Sequence, residues 1–552
     1  MKLASLAFVI SLLVTGVAAQ TAPPAIFFTD LTSGPNSGGE SVNGYSGAYV
    51  TIYGNNFGTT APTVTLNNQN CLRVVNTPST WLWYQKVTVQ LGSGCTNSTG
   101  AGFVVTTAAG SSTGAPFTVR AGTIRCVSTT GSNSNNGLFP GNGSGSGCNA
   151  TMQYAKGLMS AGDIMYVGNG VVQTAGDSYG VFTVPCGGTA SSPIAIVAYP
   201  GATATIGSAS LDNTIRWTSL GCGSKNYVTV AGFTIIGNQS AIAIADCGGS
   251  TSCSSYSQGA RVIGNDISCP QGNSSSGCVT DDWNPYFYMY GNNVHNSGAN
   301  GAMKTYHSVY MSGGANHVWI GWNSVHDGGA CRGIQFFASD GPATTDLHAH
   351  DNLIYNTVCN GLNLSAVDGS SGTVEAYNNV IYHAGIGGGS NDADYACILS
   401  NPSAGNNQIY NNTLYNCGSG GTPNLGQGCY DAGGSGSVLR NNICYQVNNQ
   451  PYLANSNVSG SNNVFYGGSG SIPSGLTGTL TSNPQLANPA GADFHLSSST
   501  SPPNHAGTAI AGLAYDHDGL LRSSPPSIGA YEFASGSVTR PNPPTNLNVV
   551  VN

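Results

Sequence analysis

Two basic side chains, Lys304 and Arg332, are all that the chain carries between Arg261 and Arg440. The stretch 281–332 around them also holds Asp281, Asp282, His307 and Tyr310, with four of the ten histidines and three of the six tryptophans. In a protein with 7% charged residues this is a compositional anomaly. Its chemistry suits an acidic polysaccharide. A lyase neutralises a uronate carboxylate with a cation, here Arg332 or Lys304, and takes the adjacent C5 proton with a base such as Lys304, His307 or Tyr310. A glycoside hydrolase instead needs two carboxyl groups about the scissile bond, and Asp281 with Asp282 is the pair at hand. Trp283 and Trp322 offer faces to sugar rings, with Gln335 beside them as a hydrogen-bonding group. Each residue also has a structural reading. His307 and Arg332 share a position with Asn360, where a polar side chain satisfies turn carbonyls. Asp281 and Asp282, like Asp392 and Asp394, suit a structural Ca²⁺, although the chemistry requires no cofactor.

The elements that position these residues follow from a repeat. An Asn is followed two residues later by an apolar residue and then, as a rule, by His or Tyr. It recurs at Asn265, Asn292, Asn323, Asn352, Asn379, Asn412, Asn442 and Asn463, with Asn238 one period earlier. A second string runs in phase: His307-Ser-Val-Tyr-Met, Arg332-Gly-Ile-Gln-Phe and Asn360-Gly-Leu-Asn-Leu. Repeats of roughly 20–33 residues built from short strands and polar turns are coils of a parallel β-helix. Stacking sets His307 beside Arg332, turns Val309, Met311, Ile334 and Phe336 inward, and leaves Asp282, Tyr310 and Gln335 outward. The recurring Asn faces inward at the turn, paired with backbone and with its neighbour above. His295 and His326 take a slot that is Tyr in other coils and are read as stacking residues.

Composition agrees. The 552 residues include 79 Gly, and charge is too sparse for the wet faces of long helices. A net charge of -8 with scattered Lys and Arg excludes a nucleic-acid groove. No apolar run after the leader reaches the ~20 residues of a membrane span. Lys2, the apolar run from Leu3 to Val14 and Val17-Ala18-Ala19 mark residues 1–19 as a signal peptide. Sixteen cysteines beyond it favour disulfides in an exported, extracellular or cell-surface protein. Phase within the repeat predicts Cys331–Cys359 and Cys397–Cys429, with Cys71–Cys95 local to the first domain.

Ser33-Gly34-Pro35, Gly38-Gly39 and Val50 to Gly58, with the closing Pro116 to Val119, resemble IPT/TIG immunoglobulin-like domains, usually spacers or binding modules. Trp81 and Trp83 there are read as half core rather than as a sugar platform. Gly131 to Gly137, a helix over Thr151 to Ala161, and the closing Ala492 to Leu496, Asp518 to Arg522 and Ile528 to Glu532 resemble secreted β-helix proteins of the pectate-lyase-like superfamily. The resemblance implies a capping helix and a terminal cap holding an Asp518–Arg522 ion pair. Polygalacturonases combine paired Asp with Gly-His-Gly and Arg-Ile-Lys. Tyr306-His307-Ser308 and Arg332-Gly333-Ile334 depart from that pattern.

The expected fold is all-β, a right-handed parallel β-helix over residues 123–533 preceded by a small immunoglobulin-like β-sandwich over 24–119. A Pro-rich tail or linker occupies 534–552. The expected role is action on, or binding of, an extracellular, acidic polysaccharide by a monomer, with β-elimination favoured over hydrolysis. A non-catalytic adhesive protein is the rival reading.

Overall fold

The structure, a computed structural model, describes residues 22–534 apart from 99, 178, 219–225, 246–255, 300–302, 330, 339–343, 388–393 and 421–426. The leader expected over 1–19 and residues 535–552 of the tail lie outside the described residues, as does Asp392. No described helix is long and apolar enough to cross a membrane.

From Ile124 onward the strands stack in parallel, coil upon coil, in three ladders. The first begins at Ile124–Val127 and runs through Phe287–Tyr290, Asn316–Gly321 and Thr345–His350. The second has eleven strands, from Val172–Gln173 to Val464–Tyr466. The third passes through Ser276–Asp282, Tyr306–Met311, Arg332–Phe337, Leu362–Ser365 and Tyr395–Asn401 to Gln427–Arg440. Alternation decides what faces in: Val309 and Met311 register with Ile334 and Phe336, and all four are fully buried. The chain is therefore a parallel β-solenoid, as the repeat predicts.

The corner between the first and second ladders holds the asparagine column. The Asn292 side-chain amide donates to Asn323 Oδ1 at 3.0 Å and to the Val262 carbonyl at 2.9 Å, and its backbone N–H also donates to Asn323 Oδ1. The pattern repeats from Asn265 to Asn463, every member buried. Each column residue follows one in the left-handed region, such as Asn378, Asn411 and Asn441 with φ 53°, 53° and 55°. Asn tolerates that conformation better than other side chains with a Cβ. The Asn-Asn pairs at 378–379, 411–412, 441–442 and 462–463 thus divide their labour: the first turns the chain and the second holds the stack. Asn238 is not in the column. The corner one coil before Asn265 belongs to Phe233, whose N–H donates to Asn265 Oδ1.

A short helix, Met152–Lys156, is capped by the Thr151 hydroxyl and packs buried Met152 and Ala155 against Val127 and Met165. Residues 25–119 form two antiparallel sheets about Phe57, Leu66, Tyr84 and Phe103, with Ala25–Thr29, Tyr45–Asn55 and Tyr84–Gly92 in one and Thr63–Leu66 with Phe103–Thr107 in the other, and a parallel pair, Ser33–Gly34 with Thr118–Val119. This module lies on the solenoid rather than apart from it. Trp81 Nε1 donates to the Gly291 carbonyl, the Tyr84 hydroxyl to that of Trp322, and Trp83 stacks on His517 at 4.7 Å. Trp81 and Trp83 are interface residues, in line with the core reading.

The closing segment departs from the expected end cap. It folds back along the asparagine corner, where the Asn378, Asn411 and Asn441 side chains donate to the carbonyls of Tyr515, Ser527 and Thr508. Phe494 wedges between Tyr382 and Tyr415. Corner amides not used in stacking need partners, and this segment supplies them. The expected ion pair is also reassigned: Arg522 meets Glu532 at 3.1 Å, while Asp518 meets His495 at 2.8 Å.

Disulfides Cys71–Cys95 and Cys331–Cys359 form as predicted. Cys397–Cys429 does not. Cys397 bonds Cys417 and Cys429 bonds Cys444, each within one coil. Cys397 and Cys429 are in register one coil apart, as Cys331 and Cys359 are, but both lie in the coil interior, where each bonds the buried cysteine of its own coil.

Replacing one column residue tests its weight. Asn352→Leu leaves the Ile320 carbonyl and an amide of Asn323 unpaired inside the corner, and urea unfolding should show a loss of about 1–3 kcal/mol. An unchanged midpoint would mean that the column carries no weight.

Candidate functional site

The third ladder builds the site. Its outward positions form one row in register: Thr280, Tyr310, Gln335, Asn363, Leu399 and Asp431. At the strand starts His307 stands beside Arg332. The structure therefore brings together His307, Tyr310, Arg332 and Gln335, with exposed Lys304 in the turn ahead of them.

His307 is 3% exposed, and its Nδ1–H donates to the Ser276 carbonyl at 2.9 Å. Burial, then the Arg332 guanidinium, push its pKa down to about 3. A neutral imidazole so hard to protonate is a poor base, and it lies under the surface. The turn-satisfying reading fits His307 better than the lyase-base reading. The Tyr310 ring rests against it with centroids 4.7 Å apart and is half-buried. Arg332 donates to Gln335 Oε1 at 2.5 Å, and its Nη2 lies 3.8 Å from Asp394. Gln335 Oε1 also accepts from Asn363, so the row is laced together.

Beyond Arg332 the row opens into a groove of about 530 Å³, lined by Arg332, Asn363, Asp394, Leu399 and Asp431 among others. Two polar atoms at its edge, Arg332 Nε and Asn363 Oδ1, are buried and find no partner among the described residues. The Asp394 carboxyl is held above its ordinary pKa by burial and then by the charge of Asp431, against the pull of Arg332 and Lys304. Asp431 is buried and accepts from the Asn455 side chain at 2.5 Å. The repeat does not single out Asp431, and the sequence offers Asp394 only as a Ca²⁺ ligand. The usable signal was the row itself, but the inserted loops between coils hide its phase.

Other predicted site residues fall elsewhere. Asp281 and Asp282 are consecutive on a strand, so their side chains leave on opposite faces. Asp281 registers with Met311 and is fully buried in the coil interior, while Asp282 is outward and half-buried. That corrects the two-carboxylate assignment to this pair. Trp283 turns away in the left-handed region and covers Gly314. Trp322 is taken by the N-terminal module, with Phe27 stacked on it at 5.6 Å, and has no place in the groove. Among the described residues no group of three or more His, Cys, Asp or Glu is arranged to hold a metal.

Several other histidines belong to stacks. His295 lies on His326 and His326 on Tyr355, as their slot predicts. A column on the first ladder, Tyr288, Trp319 and His348, ends with His348 held between Asp346 and Glu375. Its neighbouring rings occupy one another's faces.

No protein-family model and no curated protein matches the chain. Among solved structures it is similar to the pectate lyase Pel9A, at 13% identity and TM-score 0.44, over 74% of this chain and 96% of that one. It is also similar to XylC in complex with xylose, at 11% identity and TM-score 0.36, over 74% and 98%. A rhamnogalacturonan lyase matches at 13% identity and TM-score 0.31, over 75% and 97%. Values this low carry no functional argument, and the solenoid rests on the chain's own strand register.

Burial of His307 has a pH signature. Unfolded, the imidazole takes a proton near its ordinary value of about 6.5; folded, it does so only near 3. Its contribution to stability is complete above about pH 6.5 and falls as pH drops towards 3, by at most about 1.4 kcal/mol per pH unit. His307→Asn should flatten the wild-type loss in that window in urea titrations. An identical pH profile would mean an accessible imidazole.

Proposed function

We propose that the protein binds an acidic extracellular polysaccharide in the third-ladder groove and cleaves it there. The observation that carries this reading is the edge of the groove. Arg332, one of two basic residues between Arg261 and Arg440, is mostly buried there with an N–H unpartnered among the described residues, next to an unpartnered acceptor on Asn363. Burying a guanidinium is costly, and a bound anionic group offsets that cost. Exposed Lys304 adds a second cation, close enough to bias Asp394. A uronate carboxylate with its neighbouring hydroxyls fits this donor and acceptor set. Six disulfides among the described residues support an oxidising, extracellular setting. The N-terminal module, read as an IPT/TIG-like domain, serves in this reading as a clasp on the solenoid, and the working unit is the monomer.

β-Elimination needs an accessible base beside the cation. With His307 buried and neutral, that role would fall to Tyr310 or Lys304. The adhesive reading keeps the binding and drops the turnover.

Affinity electrophoresis through gels containing polygalacturonate or alginate tests the binding. Wild-type protein should be retarded by at least one of them, and Arg332→Gln should lose most of that retardation while unfolding at the same urea concentration. Equal retardation of the two proteins would remove Arg332 from the site.

A further inference from the structure

We propose that the groove is a hydrolytic site in which Asp394 is the general acid and Asp431 the general base for cleavage of a glycosidic bond by water. This rests on the reading of the groove as a glycan site and adds the reaction. The argument starts from placement. Asp394 precedes the strand Tyr395–Asn401, yet its carboxyl reaches back to Arg332, on the coil two before its own. Asp431 stands one coil after Leu399 in the outward row. Both line the same groove, with Asn363 and Leu399 between them on its floor. Asp431 is the register partner of Leu399, so the two carboxyls come from adjacent coils and from opposite ends of the stretch Tyr395 to Leu399, about 13 Å of strand that leaves room between them for a sugar ring and a water.

The surroundings set the two apart. Asp394 is mostly removed from solvent and feels a neighbouring carboxylate, both of which favour its protonated form. Asp431 accepts a hydrogen bond from the Asn455 amide, which fixes its carboxyl in the row. A carboxyl that favours its proton serves as the acid, and the second carboxyl of the same groove is left for the base. Arg332 and the Gln335–Asn363 chain hold the acid in place and are positioning residues.

The step balances. Asp394 gives its proton to the glycosidic oxygen as the bond from the anomeric carbon to that oxygen breaks, its electron pair leaving with the oxygen. Asp431 takes one proton from water as the water oxygen bonds the anomeric carbon from the opposite face. Asp394 ends ionised and Asp431 protonated, and exchange with solvent restores both. No oxidant, metal or further reactant takes part.

The test uses the full chain on polygalacturonate and on alginate. Three readouts are followed: new reducing ends, absorbance of unsaturated sugars, and retardation in glycan-containing gels. Wild type should release reducing ends without unsaturated absorbance, and ¹H NMR of fresh product should show the inverted anomer. Asp394→Asn and Asp431→Asn should each lower the rate by about 10²–10⁴ while gel retardation and urea midpoint stay unchanged. Cleavage with unsaturated absorbance, a product of retained configuration, or full activity in either variant overturns the inference. Retardation without any cleavage also overturns it but leaves the binding reading standing. Absence of retardation on both glycans removes the binding reading, and the hydrolytic site with it.

Discussion

The rest of the structure depends on a buried amide with no water to turn to. At the corner between the first and second ladders, in the coils from Asn265 to Asn463, the chain turns within two residues and its backbone groups face the interior. One asparagine per coil answers this need. Its carbonyl oxygen accepts from the backbone and side chain of the preceding asparagine, and its amide donates to a carbonyl behind and to the oxygen ahead. Because each residue is both donor and acceptor along the stack, the column fixes the spacing and rotational phase of each coil against the next. In a chain with few charges and many glycines, this is the strongest constraint on register that the sequence carries.

Register then makes the site. A parallel solenoid places the same outward position of successive coils in one row, so residues about thirty apart in sequence become neighbours. Gln335, Asn363 and Leu399 form such a row, and Asp431 closes it. The opposite edge is closed by other means. The N-terminal module covers the early corner through Phe27, Trp81 and Tyr84, and the returning C-terminal segment covers the later one through Tyr515, Ser527 and Thr508. Both cover the asparagine edge, and neither contributes a residue to the lining of the groove.

The fold was legible because its cause repeats. An inward amide once per coil, followed by alternating apolar residues, shows in the sequence as a period, and His307 beside Arg332 follows from the same arithmetic. What escaped was whatever the period does not encode. Asp394 and Asp431 follow inserted loops that differ in length from coil to coil, so counting from the asparagine does not place them in the row. Cys397 and Cys429 share a phase, but each bonds an interior cysteine of its own coil, a contact across the coil that the period does not encode. Trp322 looked like a sugar platform because its covering partner, Phe27, lies 295 residues earlier in the chain. Asp281 was misread for a simpler reason: one step along a strand changes the face, and the interior accepted a carboxylate where Met311 stands on the next coil.

The central claim is that coil register assembles one functional groove from Arg332, Asn363, Asp394 and Asp431. A crystal structure of the Asp394→Asn protein soaked with an acidic oligosaccharide tests it most directly. The account predicts sugar density along the third ladder, with a carboxylate against Arg332 and a glycosidic oxygen facing residue 394. Ordered sugar on the Tyr288–Trp319–His348 face, with the groove empty, would contradict it.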